Sequence, residues 1–159
     1  MTSTEPRQGA RRVVVDASVG TKWLLSEKDT DWALAVLRGA DTGRYTLHVP
    51  DTWRAECANA VWKGQHLRGL YTTADAQDAL EGLGALDVRA APTAPLLLRA
   101  YAVAVAHGCS VYDALYITLA ERLEAPLATA DQRLERVARE CGVEVAAHGL
   151  KPGLGNGKP

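Results

Sequence analysis

The chain has 159 residues, which is the size of one domain. Hydrophobic residues make up 47% and charged residues 23%, so the composition argues against a disordered chain, a collagen-like repeat or a coiled coil. Eighteen Lys and Arg residues oppose nineteen Asp and Glu residues, for a formal charge of -1. The net charge therefore neither indicates nor excludes a nucleic-acid partner.

The sequence contains no segment typical of a membrane span or an export signal. The apolar stretch at residues 100–106 is far shorter than the roughly 20 residues of a spanning helix, and the run at residues 13–15 is too short for a signal-peptide core. We expect a cytosolic protein. Cys57, Cys109 and Cys141 lack the close spacing of a zinc ribbon or redox motif, and we expect buried or free thiols.

Short β-rich runs alternate with helical patterns along the chain. Strands are predicted at residues 12–16, 45–49, 87–91, 127–130 and 143–147, and helices at 17–26, 31–38, 52–67, 74–85, 94–106, 111–123 and 132–140. This alternation predicts a three-layer α/β/α domain around a five-stranded, mainly parallel sheet. We expect the domain to occupy residues 12–148, between flexible tails at 1–11 and 149–159.

Two acidic residues follow predicted strands directly. Asp16 comes after three valines and Asp131 after residues 127–130, at the carboxyl ends of strands where α/β sheets bind their ligands. Asp is also a favoured helix N-cap, because its side chain accepts a bond from a backbone N–H of the first turn. Each of the two acids has this alternative interpretation.

Two further acids lie in predicted helices. Asp113 stands three residues after Ser110, a spacing typical of a capping box, yet it shares a helical stripe with apolar residues and is expected to face inward. Glu56 falls early in the helix at 52–67 and could form a surface salt bridge with Arg54 or Lys63. Asn59 lies on the same helical face as Glu56 and could bond to the same polar cluster.

Four carboxylates at one edge of a sheet would repel one another, which raises their pKa values and destabilises the fold unless a cation neutralises them. Carboxylate oxygens in that number favour Mg²⁺ or Mn²⁺. The four histidines are scattered, without the spacing of a zinc pair. The pattern predicts a metal-assisted phosphodiesterase site.

Four segments carry a resemblance to a known family: residues 14–19 (Val-Val-Asp-Ala-Ser-Val), 56–62 (Glu-Cys-Ala-Asn-Ala-Val-Trp), 110–116 (Ser-Val-Tyr-Asp-Ala-Leu-Tyr) and 129–131 (Thr-Ala-Asp). In this order and spacing they resemble the PIN-domain ribonucleases, specifically the VapC toxins of type II toxin–antitoxin pairs. The resemblance extends over residues 12–145, nearly the whole chain.

The resemblance implies an endoribonuclease that needs Mg²⁺ or Mn²⁺, in which metal-activated water hydrolyses a phosphodiester. It implies that Asp16 and Asp113 are the principal metal ligands, and that Glu56 and Asp131 complete the cluster directly or through water. It also implies supporting hydrogen bonds from Ser18 and Thr129, a homodimer, and a cognate VapB-type antitoxin that inserts a segment into the active-site groove.

RNA must also be bound, and the candidates are the cations near the four acids: Lys22, Arg54, Lys63 and Arg133. Each of them could equally be an ordinary solvated charge. The four tryptophans could stack on bases, but in a chain without Phe we expect at least three of them to fill the core.

Two other interpretations remain open at this stage. A PIN-like fold that has lost catalysis could serve as a binding or scaffold module. A phospho-receiver domain has a similar architecture, but it needs an acidic pair after its first strand, where this chain has Asp16 alone. The sequence does not specify the target RNA, the number of metal ions or the chemistry of the product ends.

Overall fold

The computed structural model describes residues 9–25 and 30–146. Expectations for residues 1–8, 26–29 and 147–159, including most of the two tails, lie outside the described residues. The strands are Arg11–Val15 (β1), Tyr45–Pro50 (β2), Arg89–Ala91 (β3) and Leu127–Ala128 (β4). The helices are Ala17–Leu24 (α1), Asp31–Asp41 (α2), Trp53–Trp62 (α3), Thr73–Ala85 (α4), Leu97–His107 (α5), Val111–Leu123 (α6) and Gln132–Glu140 (α7).

The four strands form one parallel sheet in the order β3-β2-β1-β4. Val13 of β1 is in register with Leu47 of β2, and Val15 is in register with Ala128 of β4. Helix α2 packs on β2, and α6 packs on both β1 and β2. The predicted three-layer α/β/α architecture is confirmed, and the parallel arrangement brings the carboxyl ends of β1, β2 and β4 to one edge.

The expected fifth strand is reduced to one parallel bridge between Leu127 and Val145. Leu127 donates its N–H to the Glu144 carbonyl at 2.8 Å and accepts the Ala146 N–H at 2.9 Å. The prediction of five strands is therefore wrong by one. The physical reason is that β4 has only two residues. After β4 the N–H of Ala130 bonds to the Ser18 side chain instead of to a neighbouring strand, so β4 offers little length for a fifth strand to pair with.

Two predicted helices have irregular ends. The helix expected at residues 52–67 becomes a π-helical turn over Lys63–Leu67, where α3 ends. The helix expected at residues 94–106 starts as a 3₁₀ turn over Ala94–Leu96 before α5 begins.

The core is built around the centre of the sheet. Val13, Val14 and Val15 of β1 are completely buried, as expected for a parallel strand covered on both faces. All residues of α6 from Ala114 to Ala120 are also buried. The three cysteines are free thiols, Cys57 buried and the others half-buried, which confirms that expectation.

No single helix among the described residues is long and apolar enough to cross a membrane. Residues 94–107 and 111–123 meet that criterion only as a pair, and the pair is bent by 117°.

Helices α1 and α3 meet at a glycine. A Cβ atom on Gly20 would lie 2.4 Å from Cζ2 of Trp53 and 2.9 Å from Sγ of Cys57. The Trp53 ring is completely buried and packs against the ring of Trp23, with 6.2 Å between centroids. The contact therefore requires a residue without a side chain at position 20.

We expect Gly20→Ala to lower the free energy of unfolding by about 1–3 kcal/mol, because the buried indole has no room to move away from an added methyl group. Gly84→Ala in α4 is the matched control, since a Cβ there meets nothing within 4 Å. The control should be neutral, or stabilising by up to about 1 kcal/mol through helix propensity. Urea unfolding measures both, and equal stability of the two variants would contradict this account of the contact.

Candidate active site

Asp16 directly follows β1 and is only 6% exposed. Its Oδ2 atom accepts a hydrogen bond from Ser18 Oγ at 2.5 Å and another from Thr129 Oγ1 at 2.9 Å. Asp16 occupies the N-cap position of α1, but its side chain makes no cap bond. The capping interpretation is therefore wrong for this residue, whose carboxylate is held by two hydroxyl groups instead.

The two hydroxyl groups are themselves held by backbone amides beyond β4. Ser18 Oγ accepts the N–H of Ala130 at 2.9 Å, and Thr129 Oγ1 accepts the N–H of Asp131 at 3.0 Å. Each hydroxyl thus accepts from the backbone and donates to Asp16. This network joins the end of β1 to the end of β4 and fixes the orientation of the buried carboxylate.

Burial raises the pKa of Asp16 from its usual 3.8 to about 6. The hydrogen bonds from Ser18 and Thr129 oppose the shift because they stabilise the charged form, and the nearby Glu56 carboxylate adds to it. Within the described ranges, the charged group that acts on the pKa of Asp16 is therefore another acid.

Glu56 lies in the first turn of α3 and is half-buried. Its Oε1 atom accepts a hydrogen bond from Thr52 Oγ1 at 2.8 Å. Burial raises the pKa of Glu56, and the carboxylate of Asp113 raises it further. The expected alternative, a salt bridge with Arg54, is not formed, because that guanidinium donates to the carbonyl of Leu86 at 3.0 Å.

Asp113 lies in the first turn of α6 and is half-buried. Ser110 Oγ accepts the N–H of Asp113 at 3.0 Å, which caps the helix without using the Asp113 carboxylate. The Tyr116 hydroxyl, one turn further along α6, is buried and makes no hydrogen bond among the described residues. It lies close enough to Glu56 to lower the pKa of that carboxyl group, which opposes the effect of burial.

Asp131 caps α7 and is exposed. Its Oδ1 atom accepts the N–H of Arg133 at 2.8 Å and the N–H of Leu134 at 3.2 Å. The capping interpretation is therefore correct for Asp131. Its backbone N–H donates to Thr129 Oγ1, which in turn donates to the Asp16 carboxylate. Asp131 therefore lies at the margin of the cluster.

Asp16, Glu56 and Asp113 form a chain of mutually repelling carboxylates. In the described part of the chain, no Lys or Arg makes an ion pair with any of them, and no three His, Cys, Asp or Glu side chains have the spacing of a preformed metal site. The donor set fits Mg²⁺ or Mn²⁺ all the same, because it consists of carboxylate oxygens whose negative charge no Lys or Arg of the described segments neutralises by an ion pair.

The other predicted site residues differ in exposure. Asn59 and Lys63 are exposed on and after α3, and Lys22 is half-buried in α1. Arg133 is exposed, and its Nη2 atom donates to the carbonyl of Gly108 between α5 and α6. The hydrogen bond to Glu56 comes from Thr52 rather than from Asn59.

Sequence reasoning missed two groups beside Glu56, namely Thr52 and Tyr116. Both have a signal in the sequence once α3 and α6 are known. Thr52 precedes Glu56 by four residues, one helical turn, and Tyr116 follows Asp113 by three, so it lies on the same side of α6.

Comparison with known proteins agrees with the resemblance. The family model described as PIN domain matches residues 13–140. Ribonuclease VapC3 of Pyrobaculum aerophilum is 35% identical over 127 residues, which cover 77% of this chain and 92% of the relative. VapC ribonuclease Mb0985 of Mycobacterium bovis is 31% identical over 134 residues, which cover 84% of this chain and 97% of the relative.

The crystal structure of PAE2754 from Pyrobaculum aerophilum has the same fold, with a TM-score of 0.61 at 24% identity over 91% of this chain and 92% of that chain. The family model covers most of the present chain, and both relatives align with it over nearly their whole length. The chain therefore belongs to the PIN-domain family and, within it, to the VapC ribonucleases.

Proposed function

We propose that this protein is an endoribonuclease that hydrolyses phosphodiester bonds in RNA and acts in the cytoplasm as the toxin of a type II toxin–antitoxin pair. The observation that carries the proposal is the buried Asp16 carboxylate, which is held by two hydroxyl groups, faced by another acid, and not paired with any Lys or Arg of the described chain. The names of the VapC ribonuclease relatives support the choice of RNA as substrate.

In this proposal Asp16, Glu56 and Asp113 hold Mg²⁺ or Mn²⁺, and Asp131 completes the site directly or through water. When bound, the ion supplies positive charge that stabilises the transition state and acidifies water for attack on phosphorus. Its charge would also offset the repulsion that raises the pKa values of Asp16 and Glu56.

The chain's own groups then have distinct roles. Ser18 and Thr129 orient Asp16 and favour its charged form, so they are positioning residues. Thr52 orients Glu56 in the same way. The N-terminus of α6, beside Asp113, favours negative charge at the site through the helix dipole.

Besides RNA, we propose a VapB-type antitoxin and a second copy of the chain as partners. Helix α5 presents an apolar stripe in which Leu98 is 85%, Tyr101 62% and Val105 67% exposed. Arg99, next to Leu98 in the sequence but on another side of α5, is paired with Glu121 of its own chain at 2.8 Å. A second copy of the chain can therefore cover the stripe without leaving the Arg99 guanidinium unpaired.

We expect Asp16→Asn and Asp113→Asn each to reduce RNA cleavage by about 10²-fold or more, because each removes negative charge from the cation site. The assay is cleavage of total cellular RNA by the purified, antitoxin-free protein with Mg²⁺ or Mn²⁺, and with chelator. Glu81→Gln is the matched control, since Glu81 is exposed on α4, and it should cleave as wild type.

Discrete cuts that need both the ion and Asp113 would support the nuclease. Cleavage that survives chelation, or that survives both acid substitutions in folded protein, would contradict the proposed metal site. A chain that binds its partners but cleaves no RNA would instead be a scaffold.

The raised pKa of Asp16 also predicts the pH dependence of stability in metal-free protein. The folded state binds the Asp16 proton more tightly than the unfolded state, so this contribution to stability is complete below pH ~4 and is lost as the pH rises through about 6. Asp16→Asn removes the titration, and its amide oxygen can still accept both hydroxyl bonds. With chelator at pH 8, the variant should be more stable than wild type by up to roughly 3 kcal/mol.

The measurement is urea unfolding of both proteins between pH 4 and pH 8. The difference in unfolding free energy between the variant and wild type should shrink towards pH 4. At pH 8, added Mg²⁺ should reduce this difference by stabilising wild type alone. A difference that is constant with pH would show that Asp16 does not titrate as described.

We expect Leu98→Glu to convert the dimer into a monomer, because a carboxylate would be buried against apolar side chains. Leu80→Glu on α4 is the control, since Leu80 is also exposed, at 42%. Size-exclusion chromatography with light scattering measures the mass. An unchanged dimer in the Leu98 variant would mean that another surface forms the interface.

A further inference from the structure

One tryptophan differs from the other three in its surroundings. Trp53 is completely buried, and Trp23 and Trp32 pack partly buried against the core, as expected for three of the four. Trp62, at the end of α3, is 48% exposed. Its ring stacks on that of His66, with 5.3 Å between centroids and 18° between planes.

This stacked pair lies on the same helix as Glu56. Trp62 follows Glu56 by six residues on α3, which places it roughly 120° around the helix axis from Glu56, on the exposed part of the surface. His66 follows Trp62 by four residues, in the π-helical turn. The opposite side, with Trp53 and other apolar residues, is buried. At 1.5 Å per residue, Trp62 lies about 9 Å along the helix axis from Glu56.

The segment that carries the pair is well supported. In the π turn, a Cβ on Gly64 would lie 2.4 Å from the ring of Tyr71, and the Gly64 carbonyl accepts the Leu70 N–H at 3.0 Å. Gln65 Nε2 donates to Thr73 Oγ1 at 3.0 Å. These contacts anchor the turn to the start of α4 and hold the exposed rings in one place.

Two exposed cations lie near the pair in sequence. They are Lys63 and Arg68, and the segment between Glu56 and Asp75 that carries them has no acidic residue. An exposed aromatic ring beside exposed cations is an arrangement with which proteins bind single-stranded nucleic acid.

We propose that the Trp62–His66 pair stacks on an unpaired base of the RNA substrate close to the scissile phosphate, while Lys63 and Arg68 contact neighbouring phosphates. The inference rests on the proposed function and deepens it, because it assigns the single-stranded part of the substrate to the exposed side of α3. Leu67 and Leu70, which are 64% and 56% exposed in the same segment, offer the apolar surface that a protein partner would use instead.

The test is binding of a fluorescent ten-nucleotide oligoadenylate in Mg²⁺, measured by anisotropy in the Asp113→Asn background, where cleavage is expected to be blocked. We expect Trp62→Ala to weaken binding about tenfold, since stacking on an aromatic side chain contributes about 1–3 kcal/mol per base. Trp62→Tyr should restore most of the affinity, and Leu70→Ala should bind as the parent protein does. The unfolding midpoint of each variant checks that the fold is retained.

A ribose-phosphate oligomer of the same length without bases separates stacking from charge. The parent protein should bind this base-free oligomer as weakly as Trp62→Ala binds oligoadenylate. The Trp62→Ala substitution should not weaken binding of the base-free oligomer further. Equal binding of oligoadenylate by Trp62→Ala and the parent protein would overturn the proposal. A loss that tyrosine does not restore, or that Leu70→Ala reproduces, would overturn it in favour of a protein-binding surface.

This assay does not depend on cleavage, so its failure differs from failure of the nuclease. Wild-type protein that cleaves RNA while Trp62 has no effect on binding would retain the proposed function and remove the stacking site. Oligoadenylate binding that depends on Trp62, in a protein that cleaves no RNA, would retain the stacking site and remove the proposed nuclease function.

Discussion

The hydrogen bond from the Thr129 hydroxyl to the Asp16 carboxylate joins two residues that are 113 positions apart in sequence. It forms because β1 and β4 are neighbouring parallel strands in a register that pairs Val15 with Ala128. A one-residue slip would turn the hydroxyl group to the other face of the sheet. The position of the buried carboxylate, and with it the site, therefore depends on one strand pairing of two residues.

The same contact shows a conflict between stability and chemistry. A carboxylate with 6% exposure is costly to ionise, and two hydroxyl donors recover only part of that cost, since the pKa of Asp16 remains raised. The fold could avoid the cost with an amide at position 16. Local conflicts of this kind are expected at functional sites, where the rest of the structure must supply the missing stability. Here it is supplied by the buried residues 13–15 of β1 and 114–120 of α6.

Capping and ligand binding use the same residue types at the same edge of a parallel sheet, and only side-chain geometry distinguishes them. Asp131 bonds to the backbone of α7 and is a cap, whereas Asp16 stands in a cap position and bonds to hydroxyl groups. At the start of α6, Ser110 supplies the cap bond, so the Asp113 carboxylate is not needed for it. Whether each acid caps its helix therefore depends on which side-chain oxygen accepts the hydrogen bonds of the first-turn amides.

The sequence by itself determined the α/β class and most element positions, because hydrophobic periodicity is a local property of the chain, and strand-end placement predicted the four acids as site residues. It could not determine that residues 143–147 form a bridge rather than a strand, since that depends on how soon the chain leaves the ladder after Ala128. The hydrogen bond from Thr52 to Glu56 is local, within one helical turn, but the approach of Tyr116 to Glu56 and the exposure of Trp62 among four tryptophans were decided only by the tertiary structure. The physical reason is that burial and contacts between different helices are set by the packing of distant segments, which no local pattern records.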